Sequence, residues 1–289
     1  LSYKILEEGR IVGAVALLPR EFSFRGQRLI GIQAVDGLMG REIRGKGLFN
    51  DVMAFLWRQR PADESVPYFF LSFPSLPASV RAHAFAGWER LEEFRLWTCL
   101  VDPGFLRRVR GLRWAPPLLR PLWRLWRAVL LAPLARGVEV LPVERFTTDR
   151  TPLFPEDRVH GDRSAAFLNW RVLDNPKDRM RAFALREGGA DAGYVVVKDL
   201  GRTWEIMDLA FTAPRPRYLA AFLQHVAAGG LADSVDFGVL PSSPYRRLLP
   251  RAGFVRRGAQ GVLFVKRTQE IGLPAEPERW EINVLDSDW

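Results

Sequence analysis

Arg44-Gly45-Lys46-Gly47-Leu48-Phe49 decides the reading of this chain, through what lies on either side of it. An apolar, strand-like run over 29–39 leads in. A helical pattern over 49–60 leads out, with Phe49, Val52, Met53, Leu56 and Trp57 on one face at three- and four-residue spacing. A strand, a short loop with two glycines and two cations, and then a helix start is an arrangement that holds phosphate. The glycines let the backbone approach an anion, unpaired amides of the first helical turn point at it, and the helix dipole adds a favourable field. Arg44 and Lys46 add charge-assisted contacts. A surface turn with solvated cations is the simpler alternative, and the strand–loop–helix setting is what argues against it.

Working outward, 289 residues with 48% hydrophobic content suffice for two domains with proper cores. The single cysteine, Cys99, excludes an intramolecular disulfide and points to a reducing compartment, most simply the cytoplasm. The longest apolar run near the middle, 128–135, falls far short of the roughly 20 residues of a spanning helix. With three histidines and one cysteine no metal-ligand spacing occurs, so no metal is expected. Neither a Gly-x-Ser-x-Gly nor a P-loop lysine motif is present.

The net charge of +9 is concentrated. Residues 101–137 hold eight arginines and one acid, Asp102, which places +7 there and leaves +2 for the rest. That distribution argues against a uniformly basic nucleic-acid-binding domain. At helical spacing Arg120, Arg124 and Arg127 share one narrow face. Leu118, Leu119, Leu122, Leu125, Trp126, Val129 and Leu130 fill the opposite side. Two readings fit: a linker helix packed on a domain by its apolar side, or peripheral contact of 106–136 with an anionic membrane.

Strands are expected at 3–7, 11–18, 29–39, 68–73 and 90–101, with a helix at 79–86 before Gly87-Trp88. A second series follows, with strands at 180–186, 193–198, 204–211, 234–240 and 261–266. Its helices fall at 217–228 and 243–251, ahead of Gly253-Phe254. The two halves repeat one order of elements, which predicts an internal duplication. The domains are then 1–101, a basic connector 102–136, and 137–289. Where a glycine loop belongs, the second half has Thr212-Ala-Pro-Arg-Pro-Arg217, whose prolines delete amide donors.

Arg44-Gly45-Lys46-Gly47-Leu48 resembles the pyrophosphate-binding loop of the GNAT N-acetyltransferases, Gln/Arg-x-x-Gly-x-Gly/Ala, with Phe49 at the sixth position. Gly87-Trp88 falls where that family has Gly-Phe, and Phe167-Leu-Asn-Trp-Arg-Val-Leu-Asp-Asn-Pro176 resembles an element of bacterial tandem-GNAT proteins, as does the terminal Asp286-Ser-Asp-Trp289. The resemblance implies an α/β (α+β) fold of two GNAT-like domains, each a mixed, mostly antiparallel twisted sheet flanked by helices. It implies acetyl or acyl transfer from acyl-CoA to an amine by direct attack.

Leu38, Met39 and Gly40 would supply the amide that polarises the thioester, and Arg44 to Phe49 the pyrophosphate cradle. His83, four residues before Gly87, would protonate the leaving thiolate; a buried helix histidine is the plainer account. Asp36 would act as base or orient a water, unless it is simply a solvent-facing strand acid. The acceptor is an amine-bearing small molecule, sugar or peptide. Alternatives are a transferase using charged tRNA and a non-catalytic acyl-CoA-binding scaffold. Against the family pattern Tyr3 already lies in the second strand, so an opening strand and two helices are expected to precede Leu1, the alternative being a truncated first domain that depends on the second half for its wall.

Overall fold

β2 (Arg10–Phe24) and β3 (Gln27–Met39) form a long antiparallel hairpin, with β1 (Ser2–Glu7) on the early part of β2. The hairpin turn needs left-handed backbone, at Arg25 (φ 53°) and Gly26 (φ 73°). This computed structural model describes residues 2–43, 48–58, 66–267 and 272–287, without the side chains of Asp36, Glu42, Phe49, Asn50 and Arg108. Arg44, Gly45, Lys46 and Gly47 therefore lie outside the described residues, as do Arg60 and Trp289.

Helix α1 (Leu48–Arg58) buries Met53 and Leu56 against Val15, Leu17, Ile32 and Phe70, as its three- and four-residue spacing predicts. β4 (Tyr68–Ser72), α2 (Pro77–Phe85) and β5 (Glu89–Leu100) follow, and Gly87 turns the chain between the last two at φ 72°. Pro77 opens α2, where a missing amide costs nothing. The connector holds a 3-10 segment (Pro103–Arg108), α3 (Ala115–Trp126), a π turn (Arg127–Leu131) and α4 (Ala132–Ala135). Then come β6 (Val138–Val143), β7 (Val159–Gly161), α5 (Ala165–Leu168), β8 (Met180–Glu187), β9 (Ala190–Asp199) and β10 (Thr203–Phe211). Helix α6 (Pro216–Ala228), β11 (Ser234–Val239), β12 (Val255–Arg267) and β13 (Trp280–Glu281) complete the order.

The thirteen strands among the described residues belong to one sheet, ordered β13-β7-β2-β3-β4-β12-β5-β11-β10-β9-β8-β6 with β1 beside β2. Its centre contains an exchange. β12, from late in the chain, pairs antiparallel with β4, and β5, from early in the chain, pairs antiparallel with β11. β5 and β12 then pair with each other. The flanking pairs match as well: β3 runs parallel to β4, and β10 parallel to β11. Each series of elements thus gives its last strand to the other. β7 and β13 further extend the sheet beyond β2, so residues after 137 border the first series on two sides.

Two expectations need correction. The helix expected at 243–251 is a pair of 3-10 turns, Pro244–Arg247 and Pro250–Ala252, because Pro250 lacks the amide that a continuous helix requires. The apolar side of the connector helix does not pack as one surface. Trp123 and Trp126 turn inward: Trp123 Nε1 donates to the Leu100 carbonyl at 3.1 Å, and Trp126 joins the core of β9, β10 and α6. Leu118, Leu122, Leu125 and Val129 face outward, each 58–68% exposed.

A buried ionic knot ties the C-terminal segment down. Arg163 is fully buried and pairs with Asp208 and Asp286. Tyr194 Oη and Asn283 Nδ2 also donate to Asp208, at 2.5 and 2.7 Å. The two carboxylates hold the guanidinium pKa well above its ordinary value, although burial opposes them as the largest single influence.

Candidate active site

β3 and β4 pair only from Ile30↔Tyr68 to Gln33↔Leu71. Just beyond, β3 carries one extra residue between Val35 and Leu38, opposite Ala14–Ala16 of β2. A bulge bends the strand that holds it, and here it marks where β3 leaves β4. Between the separated strands opens a cleft of ≈ 430 Å³, lined by Ala34, Val35 and Gly37 from β3, by 72–76 after β4, and by Ser79 and His83 of α2. Val15 and Met53 form its apolar floor.

The predicted site residues fall around this cleft as follows. Gly40 donates its amide to the Val12 carbonyl at 2.7 Å, which commits that amide to β2. Met39 pairs with Gly13 of β2 at the end of the hairpin. Leu38 is 69% exposed and pairs with Ala14. Asp36 sits at the bulge, but its side chain is outside the described residues, as is that of Phe49. Leu48 opens α1, so the first-turn amides of that helix come directly after residues 44–47 in the chain.

His83 is 4% exposed. Its Nδ1 donates to the Ser79 carbonyl at 2.8 Å, which leaves Nε2 as the lone-pair nitrogen of the neutral ring. Trp88 meets the ring edge-on at 5.2 Å and Phe264, from the exchanged β12, packs at 5.5 Å. Burial pushes the His83 pKa below its ordinary value, while the Ser79 hydrogen bond pulls the other way.

Sequence reasoning missed Gln33. It lines the cleft, is 2% exposed, and its Oε1 has no hydrogen-bond partner among the described residues. The available signal was a lone polar side chain in the otherwise apolar run 29–35. A buried acceptor without a donor costs about 1–3 kcal/mol, so such atoms concentrate where function retains them.

The corresponding place in the second series is filled. β10 and β11 pair from Thr203↔Ser234 to Ile206↔Phe237, and a bulge follows between Ile206 and Asp208. There the Tyr245 hydroxyl accepts from the Phe211 amide at 3.2 Å and its ring packs edge-on against Phe211. A separate groove of ≈ 520 Å³ runs between Leu18–Glu21 of β2 and Asp162, Ser164, Phe167 and Trp170. Trp170, from the Phe167–Pro176 motif, is 65% exposed, with its ring 6.0 Å from Phe167. Leu18 pairs across the hairpin with Gln33, so groove and cleft meet at one strand pair.

No family model matches the sequence, and no curated protein matches it. Solved structures do. A GCN5-related N-acetyltransferase from Anabaena variabilis superposes with TM-score 0.55 at 15% identity, over 91% of this chain and 62% of that one. A probable N-acyltransferase from Enterococcus faecalis gives 0.54 at 16%, over 92% and 61%. Saccharomyces cerevisiae N-myristoyltransferase with bound myristoyl-CoA gives 0.55 at 9%, over 91% and 68%. The fold is thus that of the GCN5-related N-acetyltransferases, and the chain spans about three-fifths of the first two structures.

Proposed function

We propose that this chain is an acyl-CoA-dependent N-acyltransferase, which moves an acetyl or other acyl group to an amine by direct attack in a ternary complex. One observation carries the reading. The gap between β3 and β4 opens at a bulge, beside the strand that leads into the glycine–cation loop and α1. A thioester arm can lie between such strands while the pyrophosphate meets the loop and the helix start. The cleft's apolar floor and its Ser72, Ser75 and Ser79 side chains suit an extended chain of methylenes and amides.

In this reading Arg44, Gly45, Lys46, Gly47, Leu48 and Phe49 cradle the pyrophosphate, and the stretch Leu38–Gly40 supplies the amide that polarises the thioester carbonyl. The amine nitrogen bonds to the carbonyl carbon as the carbon–sulfur bond breaks. His83 takes the proton lost by nitrogen and returns it to the thiolate, a relay that starts from the neutral ring. Asp36 orients the amine or a water. The tandem arrangement is 1–101 as the acyl-CoA half, 102–136 as connector, and 137–289 as the half that shapes the acceptor side, with the Trp170 groove as its wall. The acceptor is an amine-bearing small molecule, sugar or peptide, in the cytoplasm or at the inner face of a membrane.

Thiol release from acetyl-CoA across a panel of sugar amines, peptides and polyamines tests the reading. Arg44→Glu is expected to weaken acetyl-CoA binding by about tenfold or more. Stabilisation by acetyl-CoA with no thiol released for any amine would assign a scaffold instead. Turnover that requires charged tRNA and ignores CoA would assign the other transferase class.

A further inference from the structure

The connector carries an unusual concentration of uncovered apolar surface. Of nineteen large hydrophobic side chains exposed among the described residues, nine lie between Val109 and Leu134. Leu118, Leu122, Leu125 and Val129 recur every three or four residues, which makes them one stripe along α3 and the turn after it. Trp114, 65% exposed, stands at the start of the stripe. The inward side of the same helix is already satisfied, since Trp123 bonds to the Leu100 carbonyl and Trp126 packs on Gly253. Core packing accounts for the tryptophans and leaves the leucines unexplained.

Charge identifies what covers them. Arg107, Arg110 and Arg113 are exposed in the segment leading into the stripe, and Arg136 is exposed beyond its end. The single acid of the region, Asp102, is half-buried and accepts from the Gly104 amide. Arg120, Arg124 and Arg127 point elsewhere, into a cleft of ≈ 410 Å³ with Asp102 and Ala227–Gly230. An apolar stripe with a tryptophan at one end and arginines at both ends matches an interface of acyl chains under anionic headgroups. A second copy of the chain is a poor match, because a two-fold contact would bring the same cations together. Among the described residues no helix is long and apolar enough to cross a membrane, so contact would be in-plane.

We infer that the outward face of α3, Trp114–Leu118–Leu122–Leu125–Val129, docks on an anionic lipid bilayer. Docking holds the protein at the membrane surface, where a lipid-borne or surface-associated acceptor is concentrated. The surface does not depend on the transferase reading, and its test uses no turnover measurement.

Co-sedimentation of the full chain with phosphatidylglycerol-containing vesicles, against phosphatidylcholine alone, decides it. Binding is expected to anionic vesicles, weakening with salt. Leu118→Gln/Leu122→Gln/Leu125→Gln should reduce it by about tenfold or more while the melting temperature holds, because these side chains face outward. Arg107→Glu/Arg110→Glu/Arg113→Glu should abolish the preference for anionic lipid. Failure to bind anionic vesicles at low salt overturns the inference, as does binding untouched by the triple glutamine variant. A dimer in solution that the glutamine variant converts to monomer would assign the stripe to a second copy, which also overturns it.

Discussion

His83 meets three constraints at once: a proton pinned on Nδ1 by the Ser79 carbonyl, two aromatic neighbours, and almost no water. Its pKa, and that of buried His160, lie below the ordinary value chiefly through burial. The folded state then binds fewer protons than the unfolded chain below the ordinary histidine pKa. Stability must therefore fall as pH drops through that value toward the lower folded one. Melting temperature should decline between about pH 7 and about pH 5, and His83→Phe should flatten part of the decline. The same variant should lower turnover by about tenfold or more with acetyl-CoA binding kept; unchanged turnover would remove His83 from proton transfer. Counting back from Gly87 singled out a residue that does line the cleft. Its tautomer was not legible, because that depends on which carbonyl the helix brings beneath the ring. Gln33 escaped notice because a polar side chain in an apolar run reads equally well as an edge position.

Among the elements, the segment from β7 into α5 depends on the Arg163 knot for its place against β10 and the C-terminal turn. Arg163→Ala strands Asp208 and Asp286 in a dry interior and should cost about 3–5 kcal/mol, read from urea unfolding. Gly161→Ala should destabilise by the same route, since its methyl would enter the space of Asp286 Oδ1 and the Arg163 guanidinium. A loss below about 1 kcal/mol in both would mean that water reaches the pair. Strand and helix order was readable from alternation and three-four spacing. The knot was not. One arginine among many looks alike until the fold removes its water. For α3 the wheel gave an apolar half, but only packing divides that half between Trp126 turned inward and Leu122 left outside.

At the scale of the whole molecule, a repeated order of elements was legible while the partner of each repeat's last strand was not. Strand pattern records which face is apolar and says nothing about which edge lies alongside. Cys99 reports on that arrangement. It sits on exchanged β5, fully buried beside the Ala252 carbonyl, with its thiol pushed up to about 12 by burial. Labelling by a thiol reagent should be negligible in the native protein and should track global unfolding in urea; fast labelling without unfolding would show that β5 opens locally. The exchange also fixes an order of events during synthesis. β4 and β5 leave the ribosome with the slot between them empty, and β12 is made on the order of ten seconds or more later. Through that interval two unpaired edges face solvent, the condition under which nascent strands pair with the wrong chain. Efficient production should accordingly depend on whatever shields nascent chains, with little gained from further stabilising the finished fold.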